Sequence, residues 1–323
     1  MWQHAYPPSH KNRALRVSFF YTCMKIPYSK IPLTYSEQLS QLKARGLIVD
    51  NESKTLHLLE NIGYYRLSGY WYPLLNDKPN HVFKETANFH NAFQLYCFDR
   101  ELRQLVISEL EKIEVAIRAK MIYVLSLKHG CFWFQYPSLF KNELKHSNTL
   151  QKIKEEYNKS DQDFVKSFKN KYTDSFPPAW MILEVTSFGS LSLLYSNLND
   201  SKEKREIANY FGVSDSVFVS WIHSIVYLRN LCAHHSRLWN RTLSIQPLIP
   251  RNPHLTWLSN SAVSNNKTFF MLSIIKYLLQ TVNPTTSFCN KFKLLLIKYP
   301  NVDTNAMGFS QSWKSESLWQ IPK

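Results

Sequence analysis

Arg229-Asn230-Leu231-Cys232-Ala233-His234, followed at once by His235, has residue types and spacing suited to chemistry on RNA without a metal. An arginine stays charged at every physiological pH and holds a phosphate through two parallel hydrogen bonds. A histidine gives or takes a proton near neutrality. On these residues His234 would abstract the proton of a ribose 2′-hydroxyl or protonate the leaving 5′ oxygen. Arg229 would stabilise the charge that develops on the phosphorus oxygens, and Asn230 would orient the histidine or the phosphate. Two such sites meeting across a dimer would supply both the acid and the base.

Placed on a helix at about 100° per residue, residues 217–241 separate into two faces. Phe218, Trp221, Ile222, Ile225 and Leu228 form an apolar side that must face the core. His223, Tyr227, Asn230, His234 and Arg237 form a polar stripe, which Arg241 extends if the helix continues. Arg229 lies about 120° from that stripe, towards the apolar side. It is therefore expected to be partly buried and to need an acid, a carbonyl or a phosphate. Glu184 and Glu111 are the candidate acids.

Three readings fit these residues: a site that cuts RNA, a site that binds an RNA phosphate without cutting, and a polar network that fixes helix packing. A zinc site on Cys232, His234 and His235 fits less well, because no second ligand pair has the required spacing. No glycine-rich phosphate loop is present, which argues against nucleotide hydrolysis. No G-x-S-x-G nucleophile motif occurs, and no local carboxylate cluster suits a two-metal nuclease. No metal or cofactor is expected.

The elements that must position this stretch read as helices. Valine-rich alternating runs are scarce and only 7 glycines occur, so helices are favoured over sheets. Thr34 and Glu37 have capping-box spacing, which predicts a helix to about Arg45 that stops at Gly46. A second helix is predicted over 52–61, ending near Gly63. The run Gly63-Tyr-Tyr-Arg-Leu-Ser-Gly-Tyr-Trp-Tyr-Pro73 is dense in aromatics and reads as a hinge packed in the core or as a surface that stacks on bases. A loop follows over 78–87. From 88 to 128 apolar residues recur at spacings of three and four, which predicts one long helix ended by Gly130. Asp99/Arg103 and Glu114/Arg118 read as surface ion pairs on its sides. One charged helix is expected near 148–171, an apolar helix from Ala179 to about Leu198, a short charged helix from Lys202 to about Phe211, and then the motif helix, capped by Ser214 or Asp215. Two further helices are expected near 269–279 and 285–297, before an irregular tail with Trp313 and Trp319.

By organisation the chain divides into a loose basic arm (1–30), a helical part (31–130), an insertion (131–178), the motif-bearing helices (179–245), and C-terminal helices with a tail (246–323). Met24 is an alternative start, since the clear structural signals begin just after it. The arm's Val17–Met24 stretch is too short and too rich in hydroxyls for a secretory signal.

Lys and Arg number 39 against 24 Asp and Glu, a net charge of +15, which points to a polyanionic partner such as nucleic acid. Five cysteines without paired spacing argue against a disulfide framework and fit a reducing cytosol, so a cytoplasmic location is expected. No apolar run is long enough to span a membrane, for which about 18 residues are needed, and no membrane partner is expected.

Five stretches together resemble the Abi-like (abortive infection) proteins of bacteria, of the AbiD/AbiF kind. They are Pro32–Gln38 with Leu42–Leu47, Ile62–Pro73, Phe98–Arg103 with Ile113–Arg118, Pro178–Glu184, and Tyr227–Arg241. The resemblance covers residues 25–320 in the family's order. Residues 1–23 lie outside it, which supports Met24 as the start. It implies an all-α, HEPN-like helical bundle with the motif on residues 179–245. It also implies a composite Arg-x4–6-His site across a homodimer, with Arg229 the motif arginine, Asn230 its polar neighbour and His234 the motif histidine. His235 also fits the permitted spacing, and the choice between the two stays open. His223, Tyr227 and Arg237 are accessory candidates, and Arg118 and Arg241 are candidate RNA contacts. The implied function is a phage-defence toxin that arrests growth by cutting cellular or phage RNA. The alternative is a non-catalytic binder of a structured non-coding RNA.

Overall fold

A 41-residue helix organises the chain, and its ends are set by local chemistry. In the computed structural model, which describes residues 27–260 and 262–320, this helix runs Phe89–His129 and is the fourth in order. Asn88 caps its start by accepting from the His90 amide at 2.6 Å. Gly130, at φ 82°, ends it in a conformation that L side chains rarely adopt. The preceding elements are α1 (Tyr35–Ala44), α2 (Glu52–Ile62), α3 (Tyr64–Trp71), β1 (Leu75–Asp77) and β2 (Val82–Phe83). After α4 come α5 (Glu143–Lys159), α6 (Asp163–Lys171), α7 (Ala179–Ile182), α8 (Phe188–Asn197), α9 (Lys202–Tyr210), α10 (Asp215–Ala233), α11 (Thr268–Val282) and α12 (Phe288–Lys298). The fold is all-α, and the two short strands form a single antiparallel hairpin.

At about 60 Å, α4 is long enough to touch α3, α7, α8, α9, α10, α11 and α12. Its buried stripe includes Leu95, Phe98, Leu102, Val106, Ile113, Ile117 and Met121, the 3–4 spacing that a core-facing helix needs. Helix α11 is buried on every side from Thr268 to Leu279, as an apolar helix at the centre of a bundle must be. The tail is irregular but packed. Trp319 lies fully buried against Phe269 (ring centroids 5.6 Å apart), and its indole N–H donates to the Ser273 hydroxyl at 3.0 Å.

The capping box at α1 forms as its spacing predicts. The Glu37 amide donates to Thr34 Oγ1 at 3.3 Å and the Thr34 amide donates to Glu37 Oε2 at 2.7 Å. Four expectations need correction. The aromatic run 63–73 is not a hinge. It forms α3, which buries Tyr70 and Trp71 and leaves Tyr65 exposed. The loop over 78–87 is in part a hairpin, held because Asp77 accepts from the Asn80 amide at 3.1 Å and turns the chain. The charged helix near 148–171 is two helices, broken where Ser160 and Gln162 adopt extended or near-extended ψ. The apolar helix from Ala179 is also broken. Ser187 caps α8 by accepting from the Ser190 amide, and Glu156 of α5 accepts from the Ser187 amide (3.0 Å) and hydroxyl (2.7 Å). The expectations for residues 1–26, Met24 among them, lie outside the described residues. No single helix among the described residues is long and apolar enough to cross a membrane.

Candidate functional site

The buried side of α10 is formed by Val217, Phe218, Trp221, Ile222, Ser224, Ile225, Leu228, Leu231 and Cys232, which contains the apolar face read from the sequence. The helix does not reach His235. It stops at Ala233, and the Ser236 amide folds back to the Leu231 carbonyl (2.8 Å) while the His235 amide reaches the Cys232 carbonyl (3.0 Å). This pair of bonds is the Schellman ending of a helix, in which glycine normally takes the left-handed position. Here the position is held by His235, at φ 56°. A non-glycine residue there costs about 1–2 kcal/mol, and its side chain is exposed.

The polar stripe therefore ends sooner than a continuous helix would carry it. His223, Asn230 and His234 are exposed and Tyr227 is half-buried, all on α10 or at its cap. Arg237 leaves the stripe because the helix has ended, and its guanidinium donates to the Gly69 carbonyl of α3. Arg241 donates to the Arg237 carbonyl at 3.4 Å and comes to lie beside Tyr227. Burial raises the Tyr227 phenol, but Ser244 and the Arg241 guanidinium outweigh it and hold Tyr227 below its ordinary value.

Arg229 is exposed, not partly buried. Leu228, Leu231 and Cys232 stay buried to the end of α10, and Arg229 between them is turned to solvent. Neither expected acid serves it. Glu184 stands 3.8 Å from Arg118, and Arg229 has no ion-pair or hydrogen-bond partner among the described residues. Arg118 is itself buried, pairs with Glu114 at 2.9 Å and donates to the Thr186 carbonyl at 3.0 Å. It ties α4 to the α7–α8 link, about 22 Å along the helix from Arg103, and is not presented to a ligand.

The turn after the motif is held by a group that the spacing made look superficial. Asp99 of α4 is fully buried and accepts four hydrogen bonds. Its Oδ1 takes the amides of Leu238 (3.0 Å) and Trp239 (2.6 Å), and its Oδ2 takes the Tyr70 hydroxyl (2.7 Å) and the Arg103 guanidinium. Asp99/Arg103 is thus a buried clamp and not a surface pair. Burial pushes the Asp99 carboxyl up, while Arg103, the two amides and Tyr70 draw it back down. Arg66 of α3 completes the hold by donating to the His235 carbonyl at 2.9 Å. Cys232 sits behind this turn with its thiol pushed up to about 12 by burial. That disfavours the thiolate a zinc site would need.

Between α3, α4 and the end of α10 lies a cleft of about 600 Å³. Arg66, Arg100, Arg103 and His235 line it, and no Asp or Glu does. Cys232 and Ala233 form part of its wall. Arg229 precedes them by three and four residues and so shares their side of the helix. His235 faces this cleft, whereas His234 follows Asn230 on the neighbouring stripe. The spacing of the motif did not bring Arg66 and Arg100 to notice, because they come from α3 and α4. A signal for Asp99 was present: four residues after Leu95 and three before Leu102, it falls on the apolar stripe, where an acid must be paired.

No curated protein and no solved structure matches the sequence. The family model described as Abi-like protein matches residues 57–240, which include α3, the clamp, the cleft arginines and the motif helix. With more than half its length matched, the chain belongs to the Abi-like protein family.

Proposed function

We propose that this Abi-like protein is a metal-independent endoribonuclease of the HEPN kind that acts on cytoplasmic RNA as a toxin. Abortive infection, a form of phage defence, is the function to which its family points. The observation that carries the ribonuclease reading is the state of the motif. Arg229, Asn230, His234 and His235 all stand exposed around one helix end, fixed from behind by a buried carboxylate. Folding does not require four exposed hydrogen-bonding side chains there. One histidine removes the ribose 2′-hydroxyl proton, and the 2′ oxygen attacks the adjacent phosphorus. The 5′ oxygen of the next nucleotide leaves and takes a proton from a second histidine. The products are a 2′,3′-cyclic phosphate and a 5′-hydroxyl. Arg229 holds the charge on the phosphorus oxygens through the transition state. A homodimer joined along the α10 stripe brings the second histidine from the other copy.

The second reading, a protein that binds a structured RNA without cutting it, is favoured by the cationic cleft. Product analysis separates the two. Purified wild type, Arg229→Ala, His234→Ala and His235→Ala are incubated with end-labelled RNA in EDTA. Wild type is expected to cut and leave cyclic-phosphate ends, with a loss of about 10²–10⁴-fold when the working histidine is removed. Cutting that survives all three substitutions, or that EDTA abolishes, sinks the proposal.

A further inference from the structure

We propose that the cleft between α3, α4 and the end of α10 binds the phosphates of a single-stranded RNA segment that leads to Arg229. The inference deepens the ribonuclease reading and rests on RNA being the ligand of this face. Its volume, about 600 Å³, falls within the range of sites that enclose small organic groups. Its charge is one-sided. Asp99 neutralises Arg103, and Arg66 keeps only one bond, to the His235 carbonyl. Arg100 is exposed with no side-chain partner among the described residues. A guanidinium with unfilled donors in a cleft without acids suits a phosphate, which accepts two of its N–H groups at once. Tyr96 lines the same wall, its ring stacked on Phe93 with centroids 6.2 Å apart.

The cleft also continues. Arg100 and Gln104 line an adjoining hollow of about 380 Å³ whose far side carries Lys291 of α12. The acid in that hollow, Glu101, is occupied by Lys298 at 2.8 Å and the Tyr299 hydroxyl at 2.6 Å. The cationic track therefore runs from His235 past Arg100 to Lys291. A site for a lone nucleotide has no use for the second hollow, whereas a strand with a phosphate on every nucleotide does.

The test is fluorescence anisotropy with a fluorescein-labelled 2′-O-methyl oligouridylate, which cannot be cut by 2′-oxygen attack, so binding is read apart from chemistry. Arg100→Glu and Lys291→Glu alter exposed side chains without internal partners, and each is checked for an unchanged melting temperature. Each is expected to weaken binding by about ten-fold or more and to lower the slope of log affinity on log salt by roughly 0.7. Lys166→Glu, an equal charge change on α6, is expected to leave binding as it was. Wild-type affinity in both Arg100→Glu and Lys291→Glu overturns the assignment, as does absence of binding by wild type. Equal displacement of the probe by uridine monophosphate, or by polyglutamate at matched charge, overturns the strand as occupant. Cutting of ordinary RNA by wild type, with normal binding in the cleft variants, sinks this inference and leaves the ribonuclease reading standing. Cleft-dependent binding without any cutting does the reverse.

Discussion

Replacing Asp99 by alanine removes the group that fixes the motif's trailing turn, and the cost can be worked from its partners. The substitution strands the buried Arg103 cation, the Tyr70 hydroxyl and the amides of Leu238 and Trp239. Breaking a buried ion pair from one side costs about 3–5 kcal/mol, because the remaining charge stays buried without a counterpart. The orphaned amides and hydroxyl would add about 1–3 kcal/mol each if nothing moved. The turn relaxes and admits water, so the sum is not reached and about 4–5 kcal/mol is expected. Against a typical total of about 5–15 kcal/mol, the variant still folds in the cold but is close to its limit. Urea unfolding followed by tryptophan fluorescence measures the loss, and Trp239, buried within the affected turn, contributes a local signal. The further change Arg103→Met removes the stranded cation and is expected to recover about 2 kcal/mol, a coupling within the range of contacting pairs. A loss under about 1 kcal/mol for Asp99→Ala, or no recovery in the double variant, would refute the clamp.

Two further outcomes are expected. His235→Gly relieves the left-handed strain of about 1–2 kcal/mol but adds about 0.5–1 kcal/mol of chain entropy to be lost on folding. The variant should therefore melt slightly higher than wild type while losing whatever cutting or binding the imidazole supports, and a lower melting temperature contradicts the strain. Glu101, which anchors the end of α12 to α4, is pushed up by burial but held lower overall by Lys298 and the Tyr299 hydroxyl. A carboxylate depressed in the folded state stabilises above the ordinary glutamate range, and that contribution disappears as pH falls through its folded value. The melting-temperature gap between wild type and Glu101→Gln should thus close as pH falls from neutrality to below the ordinary glutamate range, and a gap that stays constant speaks against the anchor.

What could be read in advance followed from chemistry between near neighbours. Thr34 with Glu37, Asn88, Gly130 and Gly212 each act within a turn of where they stand, so the ends they set were readable. The 3–4 spacing of α4 gave its length to within a residue or two. Ser187 failed as a signal because its neighbours Val185 and Phe188 keep the apolar rhythm going across the break. The end of α10 failed for a related reason. Without a glycine at 235 nothing local announced the Schellman turn, and the stripe was extended to Arg237 and Arg241 on a helix that had already stopped. The partners of the remaining site residues were out of reach for another cause. Arg66 meets the His235 carbonyl across 169 residues and Asp99 meets the Leu238 amide across 139, and no periodicity along the chain reports contacts of that separation.

Three departures from ordinary folding preference meet at this one turn. An acid stands on the apolar stripe of α4, a β-carbon-bearing residue takes a glycine's conformation at 235, and an arginine on a core helix ends without a partner. Each alone has a bland explanation. A buried Asp99 can serve packing specificity, His235 can tolerate φ 56° at modest cost, and an exposed Arg229 needs no partner at all. Their meeting is harder to explain by stability, because the left-handed His235 costs free energy and the unpaired Arg229 contributes none. The clamp spends a buried charge to fix a turn whose own conformation is strained. What the turn then presents is a pair of histidines and a free guanidinium beside a cleft without acids. Sequences tend to break local rules where a site requires a geometry that folding would not choose. On the proposed ribonuclease reading the clamp fixes the turn that carries His235, so Asp99→Asn should impair RNA cutting more than its effect on melting explains, and an equal fall in both would assign the clamp to stability alone.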